Sequence, residues 1–382
     1  MRIWKTAIIF FAAIAIGWAI FSVYRIVTTK APDFSVLWLV ARDYYKTPNP
    51  YQNPDIFTPN AYPPFSNLFY IPLTFFPFKV AQTIFVLLSF FSVLGSVFLS
   101  LKLVFKKFDL YVILLGVSLA LFSFPTKFTL GMGQINAITL FLLIYSYFLH
   151  SKNKPVLSGI LMGIAIMLKP IFGFFLIYFV LVKSWKVIFY SLLTVFSGFL
   201  GSLIYYGPGL WFYWIKDVMA PLMNLAGRES YYNQGLLGFI SRLTPSIRVR
   251  KIIQLAGLLT VVPVIFYSVK KQNNLSILSV LVLTLLLADS TSWQHHFVYL
   301  IFPFTVLSGF ALRLKKLWFW VLLGGSYLLV SWNFKNPAPF LSFPNSLLLS
   351  HTFYGAVILY FMNLFCLHKY RGLKLQREVL LQ

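Results

Sequence analysis

Apolar runs closed by lysine or arginine recur along almost all of this chain, and that pattern leaves it few folds to choose from. The first run, Trp4 to Val27 after Arg2 and Lys5, is about as long as the ~20 residues that cross a ~30 Å hydrocarbon core. A segment in lipid must satisfy its own backbone hydrogen bonds, so only helices and closed barrels can span. The runs are long and helix-like, unlike the roughly ten-residue alternating segments of an outer-membrane barrel. The expectation is an all-α integral membrane protein, a polytopic helical bundle of about 11–13 spans. Composition agrees, at 59% hydrophobic and only 10% charged. No internal repeat, low-complexity tract or soluble domain is visible, so residues 1–382 are expected to form one domain.

Basic residues set the weave, because cytoplasmic loops carry an excess of lysine and arginine. The first run could be a cleaved signal peptide, with Thr29-Lys30-Ala31 as a small-x-small site. Its length favours an uncleaved anchor that leaves the N-terminus inside. Further spans are expected at about 80–104, 110–124, 134–149, 155–168, 171–182, 187–206, 252–269, 275–288, 297–312, 317–332 and 350–367. Several are short for a membrane and would tilt, break or pair inside the bundle. The weave leaves two large outer segments, 28–78 and 207–251, and puts the C-terminus inside with Lys369, Arg371, Lys374 and Arg377. The expected location is the cell membrane, plasma or inner, with the active face extracytoplasmic.

A net charge of +24 would suggest nucleic acid in a soluble domain. Here the cations punctuate apolar runs and meet headgroups, so anionic lipids are the expected partners and nucleic acid is not. The single cysteine, Cys366, can form no intramolecular disulfide.

Against this cationic background the eight carboxylates stand out: Asp33, Asp43, Asp55, Asp109, Asp217, Glu229, Asp289 and Glu378. All but Asp109 and Glu378 fall on the expected outer side, and a charge that is costly near lipid needs a reason. Asp33 sits where it can cap a helix, with Phe34, Leu37, Trp38 and Ala41 following at helical spacing, as in an amphipathic helix lying in the interface. It is also a carboxylate beside the end of the first span, where low dielectric raises its basicity. Both readings stay open. Asp43 and Asp55 read as solvated loop charges. Prolines between 48 and 77 prevent a regular span, and Phe65 to Phe78 is too short to cross, so a second interfacial or re-entrant element is expected there.

Other polar groups gather at the same expected level. Gly133-Gln134-x-Asn136 opens a span, and Gly159-x-x-x-Gly163, a spacing that permits close helix contact, runs to Lys169-Pro170. Lys169 could pair with a phosphate or with Asp33, or could snorkel. The segment 207–251 carries Arg228-Glu229, Asn233-Gln234-Gly235, Arg242, Arg248, Arg250 and Lys251. These cations could hold a lipid phosphate, or mark an undetected inside loop. Asp289 to His296 interrupts two apolar spans and holds two of the five histidines. Adjacent histidines on a helix face apart, and there is no His-x-x-x-His or cysteine cluster, so no metal is expected. Indole stacking and imidazole hydrogen bonds would suit a sugar or lipid phosphate better. No Gly-x-Ser-x-Gly, P-loop or dinucleotide fingerprint occurs in a suitable context.

Taken in order, Asp33-Phe34, Asn49-Pro50-Tyr51, Tyr62-Pro63-Pro64, Gly133-Gln134-Ile135-Asn136, Gly159-x-x-x-Gly163 to Lys169-Pro170, and Ser292-Trp293-x-His295-His296 resemble glycosyltransferase family 87 over about residues 28–300. The resemblance implies a GT-C fold and a hexosyltransferase, of the mannosyltransferase type, that uses a polyprenyl-phosphate-sugar donor and a glycolipid or glycan acceptor, with no further cofactor or metal. It implies Asp33 as base and carries Trp293, His295 and His296 into the site, the histidines as catalytic. The candidate substrate-binding residues are Tyr51, Tyr62, Gln134, Asn136, Lys169, Arg228, Asn233, Gln234, Arg242 and Trp293. One departure is Gly235, where the family pattern tends to a serine. The expected chemistry is an inverting displacement at the anomeric carbon, with Lys169, Arg242 or another outer-face cation stabilising the phosphate leaving group. The alternative is a polyprenyl-phosphate or lipid transporter or flippase, which would show repeated halves and ionisable groups near the midplane.

Overall fold

The computed structural model describes residues 2–44, 50–52, 61–220, 230–259, 274–370 and 377–379, and it is a multi-pass helical membrane protein. Among the described residues, five helices are long and apolar enough to cross: Trp4–Thr28, Phe78–Val104, Trp185–Met219, Gln294–Leu314 and Asn345–Lys369. Leu110–Phe122 and Phe124–Met132, bent by 64°, form a sixth candidate. Shorter apolar helices accompany them at Asn136–Ser151, Pro155–Leu168, Pro170–Leu181, Asn274–Ala288 and Leu317–Ser331. At about 1.5 Å per residue these fall short of a ~30 Å core, as their short apolar runs require. Beside the helices, Phe105–Phe108 and Arg377–Val379 pair as two parallel strands.

The helix that starts at Trp185 is kinked where the span was expected to end, near residue 206: Gly207 takes φ 76° and ψ 164°, and helical geometry resumes from Pro208 to Tyr213. One boundary differs from the expected weave. The span expected to end at 124 stops at Phe122; Ser123 is extended, and a new helix runs from Phe124 to Met132. The expected span 252–269 falls partly outside the described residues, and its first part is the helix Ile247–Leu259.

The chain divides into two compact units. One comprises Trp18–Val93 and Thr129–Leu225. Its core gathers Phe34, Leu37, Trp38, Tyr70, Ala81, Phe85, Ile135 and Leu168. The buried Gln82 side chain closes the end of the first helix, donating to the carbonyls of Ile26 (2.7 Å) and Thr29 (2.8 Å) and accepting from the Ala31 N–H (2.9 Å). Those are orphan groups at a helix end and the next helix start, which must find partners somewhere. Gly159 and Gly163 bring Pro155–Leu168 against the helix from Trp185: a Cβ at 159 would lie 2.7 Å from the Val187 carbonyl, and one at 163 would lie 2.7 Å from that of Ser191. Close helix contact is therefore what this glycine pair provides.

In the same unit, the helix expected at the start of the first outer segment forms at Pro32–Asp43. Its burial extends well past the expected apolar stripe, to Ser35, Val36, Leu39, Val40 and Asp43. Asp43 is not the solvated loop charge expected of it. It is 4% exposed and held in a two-pronged pair with Arg42, at 2.5 and 2.7 Å, while that guanidinium stacks on Trp38. A buried carboxylate persists only when paired in this way. Asp55 lies outside the described residues.

The other unit comprises Met1–Gly17, Leu94–Phe128 and Ala226–Gln382. Its centre is the helix Asn274–Ala288, buried from Ser276 to Leu286 without a polar face. A helix that is apolar all round belongs inside a bundle. Gly355 lets Leu317–Ser331 and His351–Lys369 approach closely, with the Ser326 hydroxyl donating to the Gly355 carbonyl at 3.0 Å.

Candidate active site

Asp33 is the second residue of its helix, after Ala31 as cap residue and Pro32, whose fixed φ suits a helix start. It does not cap that helix: no side-chain cap bond forms, and its Oδ2 instead accepts from Gln134 Nε2 at 2.5 Å. The contact depends on Gly133, which adopts φ 68°, a conformation costly for other residues. A Cβ there would lie 2.6 Å from Phe34 Cβ and 3.0 Å from Ala31 Cβ, so only glycine lets this turn rest on the first turn of the Asp33 helix. On its other side Gln134 Oε1 accepts from the Tyr62 hydroxyl at 3.5 Å. Tyr62 is tied down through its carbonyl, which accepts from the Tyr51 hydroxyl at 2.8 Å, and Tyr51 in turn accepts from Asn67 at 3.0 Å.

Lys169 joins the same group. Pro170 forces the residue before it out of helical geometry, so Pro155–Leu168 ends and Lys169 turns extended at φ −148° and ψ 98°. Its side chain is 8% exposed, and Nζ donates to Asn136 Oδ1 at 2.5 Å. Burial raises the Asp33 carboxyl above the usual carboxylate range, while the Gln134 hydrogen bond and the Lys169 charge pull it down. Burial and the Asp33 charge both raise the Tyr62 hydroxyl. The unit thus assembles Tyr51, Tyr62, Gln134, Asn136 and Lys169 around the half-buried carboxylate of Asp33.

The other unit holds a second polar group. Asn233 and Trp293 pair as an isolated antiparallel bridge, with Gln234 N–H donating to the Ser292 carbonyl (2.7 Å) and Gln294 N–H to that of Tyr232 (2.8 Å). The buried Asn233 side chain donates to the Ser290 carbonyl at 3.0 Å, and Gln234 Nε2 to the carbonyls of Tyr231 and Leu349, both at 2.7 Å. Gly235 has a local reason: a Cβ there would lie 2.8 Å from the Asp289 carbonyl. The Arg242 guanidinium is engaged by Ser350 Oγ (3.0 Å) and by the carbonyls of Tyr231 (2.9 Å) and Asn233 (2.7 Å). Asn233, Gln234 and Arg242 therefore hold the Asp289–His296 stretch in place. His295 is 6% exposed between the rings of Phe128 (5.3 Å) and His296 (4.6 Å), while Trp293 and His296 are half-buried. Arg228 lies outside the described residues.

Sequence reading missed the centre of this second group. Tyr231 donates to Asn333 at 3.0 Å, approaches His351 Nε2 at 3.1 Å and accepts from the Phe334 N–H at 3.0 Å, with Gln294 alongside. Only the adjacency of Tyr231 to Asn233-Gln234, and of Gln294 to the histidines, could have signalled it.

A model of the family described as glycosyltransferase family 87 matches residues 60–291, more than half of the chain, and the chain belongs to that family. It is similar to a polyprenol-phosphate-mannose-dependent alpha-(1-2)-phosphatidylinositol pentamannoside mannosyltransferase of Mycobacterium tuberculosis, at 23% identity over 255 residues, 65% of this chain and 58% of that protein. A protein of the same description from Mycolicibacterium smegmatis is 25% identical over 259 residues, 65% of this chain and 61% of its own. The chain thus spans about three-fifths of the length of these curated relatives, by shares of 58% and 61%.

Proposed function

We propose that the chain is a membrane glycosyltransferase that moves a hexose, mannose by analogy with the two relatives, from a polyprenyl-phosphate-sugar to a hydroxyl of a glycolipid or glycan at the extracytoplasmic face. The observation that carries this reading is Asp33, a carboxylate raised by burial, oriented by Gln134 and within the field of Lys169. A base must sit within hydrogen-bond reach of the proton it takes and have a pKa near the working pH, and burial moves a carboxyl in that direction.

The step balances simply. Asp33 accepts the proton of the acceptor hydroxyl as its oxygen attacks the anomeric carbon. The bond from that carbon to the phosphate oxygen breaks on the opposite face, and its electron pair leaves on the polyprenyl phosphate. A β-linked donor then gives an α-linked product. Lys169 meets the charge that grows on the leaving phosphate, and a fixed cation in a water-poor site is worth far more than one in water. Lipid anchoring of donor and acceptor supplies much of the rate by positioning. No metal takes part.

The test is purified protein in lipid nanodiscs with polyprenyl-phosphate-mannose and a cellular lipid extract. A new mannosylated product is expected, undiminished by a chelator and absent in Asp33→Asn. Donor that crosses the bilayer without being consumed would replace this reading with transport.

A further inference from the structure

We propose that Gln134 and Asn136 are positioning residues that hold Asp33 and Lys169 apart, so that the carboxylate stays out of a direct ion pair with the ammonium and keeps its basicity. The inference rests on the transfer reading above. An acid and a cation confined together tend to pair, because both have given up water and attraction strengthens at low dielectric. A carboxylate in a direct ion pair is a poorer base. Asp43 shows that outcome in this same chain, locked to Arg42 through both oxygens.

Asp33 escapes it. Among the described residues no ion pair joins it to Lys169, although the lysine's charge reaches it. What stands at each charge is a neutral amide, and the two amides come from one short segment. Gln134 turns its NH2 end to the carboxylate, which can only accept, and its oxygen to the Tyr62 hydroxyl. Asn136 turns its oxygen to the ammonium, which can only donate. Between them Ile135 is 2% exposed in the core, and Gly133 fixes the turn that starts the segment. The two amides are thus anchored from both sides with opposite ends presented to opposite charges. Among the described residues, the groups acting on Asp33 are Gln134, Tyr62 and Lys169.

The test reads the ionisation of Asp33 directly, by infrared difference titration of the protein in nanodiscs against Asp33→Asn. Gln134→Leu removes a donor that favours the ionised form, so the titration should move to higher pH. Asn136→Leu releases the ammonium toward the carboxylate, so the titration should move to lower pH. In a Lys169→Met background Asn136→Leu should give no such downward shift, since the cation it releases is gone. Transfer should fall about 10²-fold in Gln134→Leu and in Asn136→Leu, the scale of a misplaced reacting group. If Asn136→Leu does not fold, Asn136→Ala removes the same acceptor at smaller volume. An Asn136 variant that leaves the titration unmoved, or raises it, with Lys169 present overturns the spacer. Expected shifts without transfer from any donor would keep the spacer and remove the transfer reading. Wild-type transfer with unmoved titrations would do the reverse.

Discussion

The guanidinium of Arg242 donates to the main-chain carbonyl of Asn233 at 2.7 Å, and the same nitrogen reaches the carbonyl of Tyr231 at 2.9 Å. A cation so engaged is a clamp on the backbone that leads into Gln234 and the helix after it. Burial lowers its pKa to about 10, which still leaves it charged at neutral pH. Lysine cannot reproduce the fork of donors. Arg242→Lys should therefore lower thermal stability in nanodiscs by about 2–4 kcal/mol, the cost of leaving several buried carbonyls unpaired. Wild-type unfolding together with lost donor binding would instead make Arg242 a phosphate ligand.

Asp33 separates activity from stability. Its folded pKa is raised above the ordinary carboxylate value by burial. The folded state then binds this proton more tightly, so the stabilisation is complete below the unfolded pKa and is lost as pH rises through the folded one. At neutral pH the ionised group is a cost, and Asp33→Asn should unfold at the same or a higher temperature. Transfer should nevertheless fall about 10²–10⁴-fold. In the wild type the acidic limb of the rate profile should lie above the usual carboxylate range, because the base works only when ionised. Near wild-type transfer by Asp33→Asn would assign the base elsewhere.

The helical class, the apolar runs and the order of polar motifs were legible because each is local: hydropathy, proline and glycine act within a few residues of themselves. The short apolar helices were legible in the same way, as runs too brief to cross alone. What the sequence hid was contact at long range. Gln134 bonds Asp33 from 101 positions away, and nothing in either segment distinguishes an amide that binds sugar from one that orients a carboxylate. Asp43 misled for the opposite reason. Its neighbour Arg42 is adjacent in sequence, but a buried pair and two solvated charges read alike until the packing around Trp38 is seen.

Topology offers a check independent of chemistry. The native Cys366 is buried, so introduced thiols can be read against a quiet background. A cysteine at the exposed Lys335 should react with a membrane-impermeant reagent from outside, and one at the exposed Asn153 should not. Labelling of intact cells settles it by mass shift. The reverse pattern would move the proposed active face to the cytoplasm.

Gly133 supports the Asp33 contact at the level of the backbone, and it has a natural control two residues away. At 133 the chain sits at φ 68° with the Phe34 Cβ only 2.6 Å from where a methyl would stand, whereas a Cβ at Gly131 would meet nothing within 4 Å. Gly131 lies in the helix Phe124–Met132, where alanine is the better former by up to about 1 kcal/mol. Gly131→Ala should therefore be neutral or mildly stabilising, with transfer intact. Gly133→Ala carries backbone strain of about 1–3 kcal/mol in addition to the clash. It can relieve that clash only by lifting the Gln134 turn off the helix that carries Asp33. Thermal unfolding and transfer measured on the pair should show losses in both for Gly133→Ala alone. Equal stability and equal rates in the two variants would mean that the turn does not hold Gln134 on Asp33 at all.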